Sequence, residues 1–155
     1  RFIWVRRKIM EFKEKYKKLW RELGLNKKMV LSSSFENIVS SRTMSIIILN
    51  EKFYFQTDRT LRKYSQLKGN CNVALCADNI QIEGICSELG HLDADTEFCD
   101  AYKKYFPGSY RNYTSLENER LFHVAPTFIE RWVYIDEIPY IETFDIINKN
   151  YMLEQ

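Results

Sequence analysis

The run Phe53-Tyr-Phe-Gln-Thr-Asp-Arg-Thr-Leu-Arg-Lys63 passes from an apolar, strand-like segment into a turn of hydroxyls and cations, then into residues that suit a helix. Phosphate fits such a place. Thr57 offers a hydroxyl donor, Arg62 two parallel N–H donors and Lys63 a compact charge. The strand end and first helical turn add unpaired backbone N–H groups and partial positive charge. Upstream, Arg42 precedes Thr43-Met-Ser-Ile-Ile-Ile-Leu49. If that run folds back on 52–57 through a tight Asn50-Glu51 link, Arg42 and Thr57 lie at the same end of a hairpin, and a third cation can join the anion. Spacing alone leaves two readings open: an anion site, or a set of solvated surface charges.

Other reactive side chains form no comparable group. His91 and His123 are isolated and read as structural, although His123, within Leu121-Phe-His-Val124, is placed to face a barrel mouth and meet a substrate or a haem iron. Ser32, Ser33 and Ser34 lack a nucleophile elbow or a base. Glu36, Asp58 and Glu83 are scattered, and Asp58 suits a turn or helix cap. Cys71, Cys76, Cys86 and Cys99 have no metal-ligand spacing and sit in or beside apolar runs, the pattern of buried free thiols in a reducing cytoplasm. The 23 basic and 21 acidic side chains leave a net charge of +2, no drive toward nucleic acid. The aromatic stretch 128–134 therefore reads as a core or dimer-interface strand. No apolar run is long enough to cross a bilayer.

These residues must be positioned by a single domain, 1–155, because a chain of this length holds one proper core and not two. An aromatic share of 15% suits strands. Apolar residues at helical spacing predict a helix over 12–23, within 11–24 once Gly24 is taken as its stop. The basic stretch 1–9 before it is a doubtful leader, with Met10 a candidate start. Strand-like runs follow at 29–33, 43–49, 52–57, 72–77 and 81–89, with a short helix at 60–67. A helix over 93–106 has acids first and lysines last. Pro107-Gly108 opens a predicted loop through Asn118, and the last strand-like runs are 121–124, 129–135 and 139–146. The outline is mainly β with accessory helices, an α+β domain whose sheet can close on itself.

The ordered set Arg42-Thr-Met, Tyr54-Phe-Gln-Thr57, Arg62-Lys63, Gln66-Leu67, Asn70, Val73, Gln81 and Gly84 resembles the FMN-binding split-barrel proteins related to pyridoxamine 5′-phosphate oxidase, over about residues 28–90. The resemblance implies a split β-barrel flavoprotein, FMN as cofactor and oxidoreductase chemistry on a small organic substrate. It also implies a homodimer with the flavin at the subunit interface. By position, Arg42, Arg62, Lys63 and Thr57 would meet the FMN phosphate. Thr43 and Met44 would run along the ribityl chain and ring, Gln56 would line the cofactor, and Gln81 would approach the isoalloxazine. The chain ends Phe144-Asp-Ile-Ile-Asn-Lys-Asn-Tyr-Met-Leu-Glu-Gln155, without the Trp- and Arg-containing segment with which the vitamin-synthesising oxidase holds its substrate. Pyridoxamine phosphate is thus not the implied substrate. A non-catalytic flavin or haem carrier or sensor is the alternative use of the same barrel.

Overall fold

The computed structural model describes residues 1–155. In chain order the elements are α1 (Phe2–Leu23), β1 (Asn26–Phe35), β2 (Ile38–Leu49), β3 (Lys52–Asp58), α2 (Arg62–Gly69), β4 (Asn72–Ala77) and β5 (Ile80–Gly90). A 3-10 turn (Leu92–Ala94) leads to α3 (Thr96–Tyr105), α4 (Pro107–Tyr113), β6 (Glu119–Ile135), β7 (Ile138–Asp145) and β8 (Asn150–Glu154). Every strand pairing is antiparallel, in the order β3-β2-β1-β4-β5-β6-β7-β8, and β3 also pairs with β6. That last ladder closes β1 to β6 into a six-stranded barrel.

Strand β6 pairs with β5 along most of its length and divides its other edge between two strands. Residues 119–124 pair with β3, and residues 128–135 with β7, which carries β8 on its far edge. The runs predicted at 121–124 and 129–135 are therefore one strand. What divides them in sequence is Pro126, which sits at a bulge: Gly84 faces Pro126 and Glu83 faces Phe128, leaving Thr127 as the extra residue. Gly84 is required there, since a Cβ would come within 2.7 Å of the Ala125 carbonyl oxygen.

Three hairpins turn on residue pairs with positive φ, Glu36-Asn37, Asn50-Glu51 and Asp136-Glu137. Such two-residue turns match the twist of the paired strands. Glutamate rarely adopts this conformation, so the link after β1 carries no sequence signal, and β1 and β2 run well beyond the predicted 29–33 and 43–49. The segment after Pro107 is also not all loop. Proline at the first helical position loses no needed hydrogen bond, and α4 starts there. Helix α1 begins at Phe2 rather than near residue 11, but only Phe12 and Leu19 of it are buried. Strand β8 was not predicted at all. No helix is long and apolar enough to cross a membrane.

Alternation along the strands produces two cores. The barrel interior holds Met29, Leu31, Met44, Ile46, Phe53, Phe55, Phe122 and Val124, with Phe12 and Leu19 of α1 packed into the same cluster. On the opposite face of β2, β3 and β6, Ile47, Tyr54 and Leu121 meet Leu92, Phe98 and Tyr102 from the 3-10 turn and α3. Asp95 caps α3 by accepting from the Phe98 N–H at 2.9 Å.

Candidate functional site

Strands β2 and β3 are paired over three residues only, Ile47 to Leu49 against Lys52 to Tyr54. The hairpin predicted from the Asn50 link therefore opens almost at once. Arg42 is opposite Leu31 of β1, and Thr57 is opposite Arg120 of β6, so the two are brought to one end of the barrel by different neighbours. Between them the strands part, and α2 follows directly after β3.

Ser40, Arg42 and Met44 alternate on the side of β2 that continues the barrel core. Arg42 reaches toward α2: its Nη1 donates to Ser33 Oγ at 2.8 Å, and its Nη2 donates to Gln66 Oε1. Gln66 in turn donates to Ser40 Oγ at 3.0 Å. None of these acceptors is charged. Burial, reinforced by the charge of Arg62, lowers the Arg42 pKa from its ordinary value.

Lys63 lies beside Arg42, and its only hydrogen-bond partner is the Met44 thioether, with Nζ 3.5 Å from Sδ. It belongs to no salt bridge. Burial first, and Arg42 second, depress its pKa, with Glu119 acting the other way. Thr57 is 3% exposed, and its Oγ1 is buried without a partner. An orphaned buried hydroxyl costs about 1–3 kcal/mol. A pair of half-buried cations next to it, with neutral acceptors only, is costly too. An anion entering here would relieve all three deficits, which a set of solvated surface charges would not have.

Of the residues singled out in the sequence, Arg42, Met44, Thr57 and Lys63 form this group. Arg62 is exposed and acts on Arg42 only through its charge. Gln56 is buried on the other face of β3, where it accepts from Thr114 Oγ1 at 2.8 Å. Thr43 and Gln81 are exposed on the outer face of the barrel. They share one row across four strands, Thr43–Val30–Cys76–Gln81, three strand spacings or roughly 14 Å end to end. Gln81 donates to Glu130 at 2.7 Å and takes no part in the Arg42–Lys63 group.

The structure adds three residues. Ser33 and Gln66 orient Arg42. Glu119, at the start of β6 and opposite Asp58, is 4% exposed with a buried, unpartnered Oε2. Burial, then Asp58, pushes its pKa up to about 7 against the pull of Lys63 and His91. Nothing in Asn118-Glu-Arg120 marks this carboxyl as buried, because a lone acid at a strand start is usually solvated.

The other candidates settle into structural places. Asp58 accepts from the Thr60 N–H at 2.7 Å and holds the turn before α2. His91 lies within 3.3 Å of the Leu116 carbonyl oxygen. His123 packs edge-on to Tyr54, its Nδ1 buried and unpartnered. All four cysteines are free, but Cys71 and Cys76 are exposed and only Cys86 is buried, against the expectation of four buried thiols. On strands β4 and β5 a neighbouring apolar run does not tell which side of the pleat a residue takes. No group of metal-ligating side chains is present. In the aromatic stretch Ile129 is core, whereas Trp132 and Tyr134 are exposed.

No family model and no curated protein matches the chain. Solved structures do. General Stress Protein 26 from Bacillus anthracis is 22% identical, with 76% of this chain and 89% of that one covered and a TM-score of 0.56. A pyridoxamine 5′-phosphate oxidase-related, FMN binding protein from Nostoc punctiforme is 12% identical, with coverages of 82% and 86% and a TM-score of 0.62. The heme storage protein HutZ from Vibrio cholerae is 14% identical, with coverages of 73% and 88% and a TM-score of 0.56. With the closed barrel, the parted β2 and β3 and the helix between them, these likenesses place the chain in the split-barrel fold shared with pyridoxamine 5′-phosphate oxidase-related, FMN-binding proteins.

Proposed function

We propose that this protein binds FMN and uses it as an oxidoreductase on a small organic substrate. The observation that carries the reading is the unmet demand at the end of the barrel: Lys63 with only a thioether acceptor and Thr57 Oγ1 with none. A phosphate monoester satisfies both and takes the N–H groups of Arg42 that Ser33 and Gln66 leave free. Thr43 and Met44, on the strand edge released by the parting of β2 and β3, are placed for the ribityl chain and ring, with Gln56 and Arg62 flanking. Bound FMN would supply the hydride or electron transfer, while the protein binds, orients and shields.

A homodimer completes the reading. Thr43 and Gln81 share an exposed row, and Val30, Val39 and Ile85 on that face leave apolar area uncovered. If the flavin lies between subunits, Gln81 of a second copy can reach a ring that its own protomer's Gln81 cannot. The haem alternative has one observation behind it, the unpartnered Nδ1 of His123, which is enclosed beside Tyr54 rather than open to a ligand.

An absorption spectrum after incubation with FMN and exhaustive dialysis tests the cofactor. Retained flavin bands are expected, and reduction by dithionite or a nicotinamide donor followed by reoxidation tests the chemistry. A protein that keeps no flavin but shows a Soret band with haemin would overturn the flavin reading.

A further inference from the structure

A buried carboxyl is out of place beside a site that demands an anion. Glu119 is directly across the β3–β6 ladder from Asp58, is almost wholly enclosed, and has an oxygen that no donor reaches. The groups facing it are Asp58 from β3, Lys63 from α2, His91 from the turn after β5 and Tyr102 from α3, whose phenol feels the carboxylate. Only Lys63 and His91 favour its charge, and Lys63 is too far to form an ion pair.

Resting on the FMN reading above, we propose that Glu119 is the proton acceptor of the anion site, so that a phosphate group and a proton enter together. Without a ligand, the Glu119 carboxylate is the one anion near enough to offset the charge of Lys63. A phosphate dianion placed on Lys63 takes over that part and puts like charge beside Glu119. In a partly dry site such a neighbour disfavours ionisation tenfold or more. Glu119 then takes one proton from solvent and becomes neutral. The carboxyl makes affinity for the phosphorylated flavin depend on proton supply, and it keeps the empty site from standing as a bare cation cluster.

The test is proton uptake on binding. Purified apoprotein is titrated calorimetrically with FMN at pH 8 in two buffers of different ionisation enthalpy. At that pH about nine-tenths of Glu119 is ionised before binding, from a pKa of about 7, and FMN phosphate is a dianion, its second pKa being about 6. The expected result is uptake of about half to one proton per FMN, lost in Glu119→Gln. Riboflavin, which lacks the phosphate, should bind without it. In the wild type, FMN affinity should weaken by up to about tenfold per pH unit above pH 7, and in the variant by less. Equal uptake in wild type and Glu119→Gln, or equal uptake with riboflavin and FMN, would overturn the role of Glu119 while leaving the flavin site standing. Absence of FMN binding to the wild type would overturn both. Should the variant fail to fold, a wild-type uptake at pH 8 that persists in Lys63→Arg, whose guanidinium is already fully protonated, supports the proposal, and one that disappears in Lys63→Arg overturns it.

Discussion

The two flanks of helix α2 carry the same kinds of side chain in opposite electrostatic states. Toward β5 and β6, Lys68 pairs with Glu88 at 2.9 Å, Tyr64 donates to the same carboxylate at 3.0 Å, and Arg120 stands 3.8 Å from it. Toward β2, Arg42 and Lys63 meet only neutral groups: Ser33, Gln66, Met44 and the Leu31 carbonyl oxygen. The first flank is a closed account of donors and acceptors and holds the helix on the barrel. The second is left short of an anion. A fold seldom leaves half-buried cations uncompensated for stability alone, so the difference sets the flank that attaches the helix against the flank where the proposed ligand would bind.

Substitution at matched positions gives the largest contrast. Lys63→Ala should weaken FMN binding about 10- to 150-fold, the equivalent of about 1.5–3 kcal/mol for a charged hydrogen bond, with no loss of stability in urea. Lys68→Ala should leave FMN affinity within about twofold. Equal losses at the two positions, read by flavin fluorescence quenching, would erase the distinction.

Next comes pH. Glu119 binds its proton more tightly folded, with a pKa of about 7, than unfolded, at about 4.3. The folded state therefore holds more protons between these values, and stability of the ligand-free protein should fall as pH rises through that window. Glu119→Gln should flatten the fall in a series of urea titrations. Glu88 behaves in the opposite sense. Burial works against its charge, but hydrogen bonds from Lys68 and Tyr64 hold its pKa below the ordinary value. Its contribution is present above about pH 4.3 and lost as pH falls through its folded pKa. Glu88→Gln should cost about 1 kcal/mol at pH 7, less in acid, without altering FMN affinity.

The smallest effect sharpens the comparison most. Thr57→Val keeps the shape and removes the orphaned hydroxyl. Stability without ligand should rise by about 1 kcal/mol, while FMN affinity drops about fivefold. A variant that loses both would show that the hydroxyl has a partner in the free protein.

Much of this was legible in the residues. That Thr57 and Lys63 stand together was readable because a strand end running into a helix start is a local pattern, and the Asn50-Glu51 link pointed Arg42 to the same end, but spacing alone left an anion site and solvated charges both open. The strands 72–77 and the hairpin at Asn50-Glu51 were readable for the same reason. Pro126 and Pro107 misled in opposite ways, one splitting a strand that a bulge keeps whole, the other hiding a helix that begins on it. In each case a partner, Gly84 on β5 or the absence of any needed N–H, decided the outcome.

The sequence by itself determined the chemistry on offer: which donors and cations stand near the β3–α2 junction, and which strands and helices form from local periodicity. Only the tertiary structure decided who compensates whom. Ser33 enters the site across the β1–β2 hairpin, Gln66 through the docking of α2, and Glu119 through the β3–β6 ladder that closes the barrel. Whether a charge is paired, half-buried or left without a partner depends on these contacts, because dielectric and partner distance are properties of the packed chain and not of the residue type.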